Sequence, residues 1–271
     1  MTKQVGILTF SATSTTSKIC SAVAEGMSAA DIEIFDMTVP ETRADIIARK
    51  ATIFTHLDHL IVGAPVHSGK LPLKAIECLS AIDGTGKDAS AVVVYGNRDY
   101  GIALHSMVEL LSGKGFSVKA AGAFIGQHSY ADIVPVAVGR PDEADLLKAR
   151  QLGNESLKTK KELNLESIPV QLDKISTSKD YSAIKPVHLG KLCVQCGICA
   201  GKCPDGLLSK DSGAYVDSDA KKRCIGCMAC VYHCSKKAKI AKVNPIVKLI
   251  MKIILKQAAR ERKEPLILVS Q

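Results

Sequence analysis

The chain has 271 residues, 46% of them hydrophobic and 23% charged, which suits globular material and leaves room for two domains. Its formal charge of +9 lies wholly in one half: residues 1–165 carry 17 Lys and Arg against 18 Asp and Glu, and residues 166–271 carry 19 against 9. Thiolate ligands would offset part of that excess, so the charge gives no reason to expect nucleic acid as a partner. No apolar run reaches the roughly 18–20 residues of a membrane-spanning helix, and the opening MTKQVGILTF reads as a strand without a secretory leader, so a cytoplasmic protein is expected.

In chain order, short apolar runs predict strands over 4–10, 32–36, 59–64, 91–95 and 118–125. Amphipathic stretches over 15–29, 41–55, 72–82, 101–114 and 141–163 predict helices between and after them. This alternation implies a five-stranded parallel sheet covered on both faces, a doubly wound α/β domain over residues 1–165. Ligands of such sheets bind beyond the carboxyl ends of the strands. There the chain places TFSATSTTSK (9–18), GAPVHSGKLP, YGNRDYG and GQHSY. The first loop puts six hydroxyl side chains in seven residues at the start of a helix, where free amides and the helix dipole favour an anion; a helix cap in a polar turn is the plainer alternative. No G-x-G-x-x-G follows the first strand, so a dinucleotide fingerprint is absent.

Residues 166–186 lose periodicity and read as a linker. Residues 187–242 then hold eight of the ten cysteines, in CVQCGICAGKCP (193–204) and CIGCMACVYHCS (224–235), an internal repeat whose first cysteines stand 31 residues apart. A C-x2-C-x2-C-x3-C run supplies one cysteine more than a tetrahedral zinc site uses in so short a stretch. A cubane cluster accounts for it: three thiolates cap one cluster and the fourth reaches the other. On that logic Cys193, Cys196, Cys199 and Cys234 bind one [4Fe-4S] cluster and Cys224, Cys227, Cys230 and Cys203 a second. A pair of zinc sites is the rival. Gly197 and Gly226 let amides approach the cluster sulfides, and Ser235, standing where the first repeat has Pro204, predicts a shifted turn.

Cys20 and Cys78 fall in predicted helices as core residues; His56, His59, His105 and His188 show no ligand spacing, and His233 is superfluous beside the thiolates. The segment 243–271 starts a helix at Asn-Pro and sets Lys248, Lys252 and Lys256 on one face. Docking on its own chain is the preferred reading of this tail, ahead of a partner or a membrane surface.

The cysteine unit resembles the small α+β bacterial two-cluster ferredoxins, and the whole chain resembles fusions of a flavodoxin-like domain with such a ferredoxin in anaerobic microbes. The resemblance implies FMN, its phosphate held by Ser11, Thr13, Ser14, Thr15 and Thr16. It also implies that Pro65, Val66, His67 and Gly69 flank one side of the isoalloxazine and that Gly96, Asn97, Arg98 and Tyr100 meet its other side and pyrimidine edge. Ala12 and Ser14 depart from the glycines common in that family's first loop, yet neither removes a backbone donor. His67 and His128 are candidates for contact with flavin or substrate. The function implied is electron transfer among two [4Fe-4S] clusters, FMN and protein redox partners. A flavin-dependent reductase of a small substrate and a redox sensor or assembly protein are the alternatives.

Overall fold

The computed structural model describes residues 4–29, 31–50, 52–170 and 184–270. Its first part alternates strand and helix: β1 (Val5–Thr9), α1 (Thr15–Gly26), β2 (Ile32–Asp36), α2 (Pro40–Arg49), β3 (His59–Pro65), α3 (Leu73–Ala81), β4 (Asp88–Tyr95), α4 (Ala103–Gly113), β5 (Ser117–Ile125) and α5 (Glu143–Lys158). The second part holds β6 (Pro186–His188), α6 (Ile198–Gly201), α7 (Ser218–Arg223), α8 (Ala229–Tyr232) and β7 (Lys239–Ala241). The tail forms α9 (Pro245–Ile254), α10 (Lys256–Arg260) and β8 (Leu266–Val269).

Strands β1, β3, β4 and β5 are near-continuous aliphatic runs because helices cover both faces of the sheet. The order is β2-β1-β3-β4-β5, all parallel, which is the flavodoxin-like winding with its switch point between β1 and β3. Cys20 and Cys78 are core residues as expected, and burial raises both thiol pKa values. On one face, α1 and α5 cross so closely that a Cβ at Gly153 would run into the Val23 carbonyl, and one at Gly26 into that of Arg150.

The sheet has a sixth strand that the periodicity did not announce. β8 runs antiparallel along β5, pairing Ala120 with Val269 and Ala123 with Leu266, and so covers an edge that would otherwise expose unpaired amides and carbonyls. The tail thus docks on its own chain through this strand and through a helix broken at Leu255. Of the expected linker, residues 171–183 lie outside the described residues; Ile168 packs in the core of the sheet domain.

In the second part β6 and β7 pair antiparallel, and the two cysteine repeats superimpose in backbone logic. Gln195, Gly197 and Gly206 are left-handed in the first repeat; Gly226, Met228 and Lys237, each 31 residues on, are left-handed in the second. Gly197 and Gly226 therefore hold different positions of the repeat. The turn after Cys234 is not shifted by Ser235: the Lys237 amide donates to the Cys234 carbonyl at 3.0 Å, as that of Gly206 does to Cys203 at 3.1 Å.

The two parts are docked. Ile133, Val134 and Val136 of the sheet domain, Met228 of the second repeat, and Met251, Leu255 and Ala258 of the tail share one apolar cluster. Buried Arg43 donates to the carbonyls of Met37 (2.8 Å) and Thr38 (3.1 Å) and across the junction to that of Pro204 (2.6 Å).

Gly153→Ala is expected to cost about 1–3 kcal/mol by overpacking the α1–α5 crossing. A lowered thermal midpoint by circular dichroism is the readout, while Gly190→Ala, whose Cβ meets open space, should leave it nearly unchanged.

Candidate functional site

Four cysteines, Cys193, Cys196, Cys199 and Cys234, line one small cavity, three from the first repeat and one from the second. His188, set aside in the sequence, lines it too, as do Gly213 and Lys239. A side chain at Gly213 would begin 3.4 Å from the Cys199 sulfur and 3.5 Å from that of Cys193, so the glycine keeps this space open. The other four form a second electrostatic group. Burial pushes the Cys230 thiol up to about 12, and repulsion from Cys224 and Cys203 adds to it. Cys227 is raised by burial first and then by Cys230, Cys203 and Cys224, and Cys203 by burial first, then by Asp205 and Cys224. Thiols held protonated this way give up their protons only to a strongly cationic core, so loading releases protons. Backbone amides already point at three of the sulfurs: Leu207 N–H at Cys203 (3.3 Å), Ala238 at Cys234 (3.2 Å) and Gly226 at Cys224 (3.4 Å). The first two are equivalent positions of the repeat. The donor set, its enclosure and the amide dipoles suit an iron–sulfur core.

Beyond the sheet's carboxyl edge, Ser14 takes a left-handed conformation (φ 62°) at the start of α1 and does not cap it with its side chain. The Ser11 hydroxyl accepts the Ser17 amide at 3.0 Å, so it shapes the turn from within. Thr16 is buried and its hydroxyl has no hydrogen-bond partner among the described residues. An orphaned hydroxyl beside an uncapped helix start is the environment an anionic group would complete. Thr13 and Thr15 line two adjoining cavities. The smaller is also walled by Pro65, Val66, His67 and Gly96, and it contains Cys227 of the second cysteine group. The larger, about 600 Å³, lies between Thr13, Thr15, His128 and Arg140 of the sheet domain and Tyr232 and Lys237 of the cysteine unit.

Several expected flavin contacts have other duties. The Gly69 carbonyl accepts the Ile102 amide at 2.9 Å and braces the neighbouring loop. Asn97 is left-handed (φ 57°) and only 3% exposed. Its side-chain amide donates to the carbonyls of Ala258 (2.8 Å) and Glu261 (2.6 Å), and its oxygen accepts the Lys263 amide (3.3 Å). The Arg98 carbonyl accepts from the Lys263 ammonium. Tyr100 is buried edge-on against Tyr95, 5.6 Å between centroids, and it is Tyr95 that lines the small cavity. Tyr95, Gln127 and Ser129 went unnoticed in the sequence; the loop quoted around His128 was the only signal for the last two.

Burial lowers the His67 pKa to about 4; burial and then the nearby Arg98 guanidinium do the same for His128. Nδ1 of His128 accepts the Tyr130 amide at 3.1 Å, a bond only the unprotonated nitrogen can make.

Residues 192–239 match the family described as "4Fe-4S dicluster domain". No curated protein matches the chain. Among solved structures, oxidised flavodoxin 1 from Bacillus cereus is 23% identical, with 57% of this chain and 97% of that one covered and a TM-score of 0.42. A Fusobacterium nucleatum flavodoxin bound to flavin mononucleotide is 21% identical, covering 43% and 68%, with a TM-score of 0.32. Rubredoxin oxygen:oxidoreductase from Desulfovibrio gigas is 18% identical, covering 55% and 33%, with a TM-score of 0.41. The chain thus joins a flavodoxin-type sheet, defined by its own strand order, to a 4Fe-4S segment.

The two histidines set a pH dependence. Between pH 4 and 6.5 the unfolded chain binds more protons at them than the folded chain, so their stabilising effect is full above about 6.5 and is lost as pH falls toward 4. The thermal midpoint of cofactor-free protein should fall over that window, and the fall should be shallower in His128→Asn. Identical slopes in the two proteins would contradict the assignment.

Proposed function

We propose that the chain is an electron-transfer protein carrying two [4Fe-4S] clusters and FMN, and exchanging electrons with protein redox partners. The observation that carries this reading is the position of Cys227. It belongs to the second cysteine group yet lines the same cavity as Pro65, Val66, His67 and Gly96, the walls assigned to the flavin ring. On this reading Cys193, Cys196, Cys199 and Cys234 hold one cluster and Cys224, Cys227, Cys230 and Cys203 the other. Thr13, Ser14, Thr15 and Thr16 receive the FMN phosphate at the start of α1. Clusters supply one-electron exchange, and a flavin links it to two-electron chemistry.

The chain's own part is placement. The docked cysteine unit brings Cys227 to the wall of the small cavity at the sheet edge; amides of Leu207, Ala238 and Gly226 favour negative charge on the sulfurs. His67 and His128 are neutral near pH 7, so they line the site as hydrogen-bonding walls and not as cations. A second reading, a flavin-dependent reductase fed by the clusters, draws on the cavity of about 600 Å³ beside His128 and Arg140.

Protein prepared without oxygen should hold about eight irons and eight sulfides per chain, together with FMN. Two zinc atoms and little iron would overturn the cluster reading. Cys203→Ser should damage the cluster of the second run and leave the first, seen as loss of one of two electron-paramagnetic signals. That variant should keep its FMN, but stopped-flow absorbance should show slower flavin reduction by reduced methyl viologen than in the unaltered protein. Equal rates would remove the clusters from the route.

A further inference from the structure

Helix α9 has two apolar faces. Val247, Met251 and, just beyond its end, Leu255 turn inward against the apolar cluster between the two parts. The opposite side presents Ile246 (71% exposed), Leu249, Ile250, Ile253 (67%) and Ile254 to solvent at helical spacing. Lys248, Lys252 and Lys256 run along one flank of that stripe, one per turn, and no Asp or Glu occurs from Asn244 to Arg260. Protein interfaces favour aromatic residues, Met and Arg and are poor in Lys. This face is purely aliphatic with a lysine border, the pattern of a helix lying in a lipid headgroup layer. No described helix is long and apolar enough to cross a membrane, so the fitting geometry is one lying flat. The geometry points to an anionic bilayer surface as the occupant of the outer face of α9, the isoleucines in the acyl boundary and the lysines against lipid phosphates.

Co-sedimentation of the full chain with phosphatidylcholine vesicles, with and without phosphatidylserine, tests this. Binding to the anionic vesicles only, weakened by salt and by about fivefold for each Lys→Gln change at 248, 252 or 256, is expected. Ile250→Glu and Ile253→Glu lie on the exposed face and should abolish binding while leaving the thermal midpoint unchanged. Absence of binding to either vesicle would overturn the proposal. So would a dimer in sedimentation velocity that Ile253→Glu dissolves, since a second copy would then own the face.

A separate observation concerns Lys239. It is 2% exposed, its ammonium has no hydrogen-bond partner among the described residues, and it sits 5.6 Å above the Tyr215 ring. That ring packs against the small cluster of Ala200, Leu208 and Cys230, as Cys199 and Cys203 do, and Lys239 itself lines the cavity of Cys193, Cys196, Cys199 and Cys234. The first repeat has Leu208 at the equivalent position, 31 residues earlier, so the repeat's fold does not require a cation there. Lys239 thus stands between the two groups, lining the cavity of one and lying over the ring that packs against Cys230 of the other. We infer that Lys239 is a positioning charge shared by the two clusters, which raises the reduction potential of each by stabilising the added electron. This rests on the ligand reading proposed above.

Redox titration followed by electron paramagnetic resonance, on unaltered protein, Lys239→Met and Lys239→Arg, decides it. Lys239→Met should lower both midpoints, by about tenfold in the reduction constant or 59 mV for one electron, with iron content unchanged. Lys239→Arg should keep them. If the methionine variant fails to hold iron, Lys239→Leu, the first repeat's own choice, carries the same measurement. Unchanged midpoints at full iron content would overturn the role of Lys239, whereas unaltered protein without iron would overturn the ligand reading beneath it.

Discussion

The arrangement of the cysteine groups against the sheet edge depends on one apolar junction, where Ile133, Val134 and Val136 meet Met228, Met251 and Leu255. Units in one chain move independently unless the surface between them is sizeable and apolar. Here Met228 follows Cys227 directly, so seating Met228 in the junction carries the cysteine to the sheet edge. Arg43 fixes the other repeat. Its buried guanidinium ties the loop after β2 to the Pro204 carbonyl, next to Cys203. Each repeat is thus anchored one residue away from a cysteine of the second group, and small errors of docking are not multiplied along a lever.

The same logic explains the tail. Arg140 pairs with buried Asp145 and also donates to the Lys263 carbonyl at 2.7 Å, while Arg262 binds Asp142 at 2.8 Å. Asp142 is also the cap of α5. One short stretch therefore joins the last helix of the sheet domain, the loop at Asn97 and the sixth strand.

How far the sequence disclosed this depends on distance along the chain. The parallel sheet was legible because each strand and helix announces itself within about a dozen residues, and the cysteine spacing because a cluster loop is local. β8 was not, since Leu266–Val269 is a four-residue apolar run whose partner, β5, lies some 140 residues earlier. Asn97 and Tyr100 were read from their loop alone, whereas Asn97 is committed to residues 258–263 and Tyr100 to the core. Lys239 hides among the lysines of KKAKIAK, where only the fold shows that one of them is buried. His188 lacked ligand spacing because the space it lines is assembled from both repeats.

The pairing of Asn97 with residues 258–263 also orders events in time. A chain leaves the ribosome from its amino end, so the loop over 96–100 is made early and gains its tail partners only after the whole cysteine unit has emerged. The open edge of β5 waits equally long for β8. During that interval the cysteine repeats are complete while the loop over 96–100 and the edge of β5 are still unlatched. The cysteine repeats can therefore fold before the tail closes on the sheet domain.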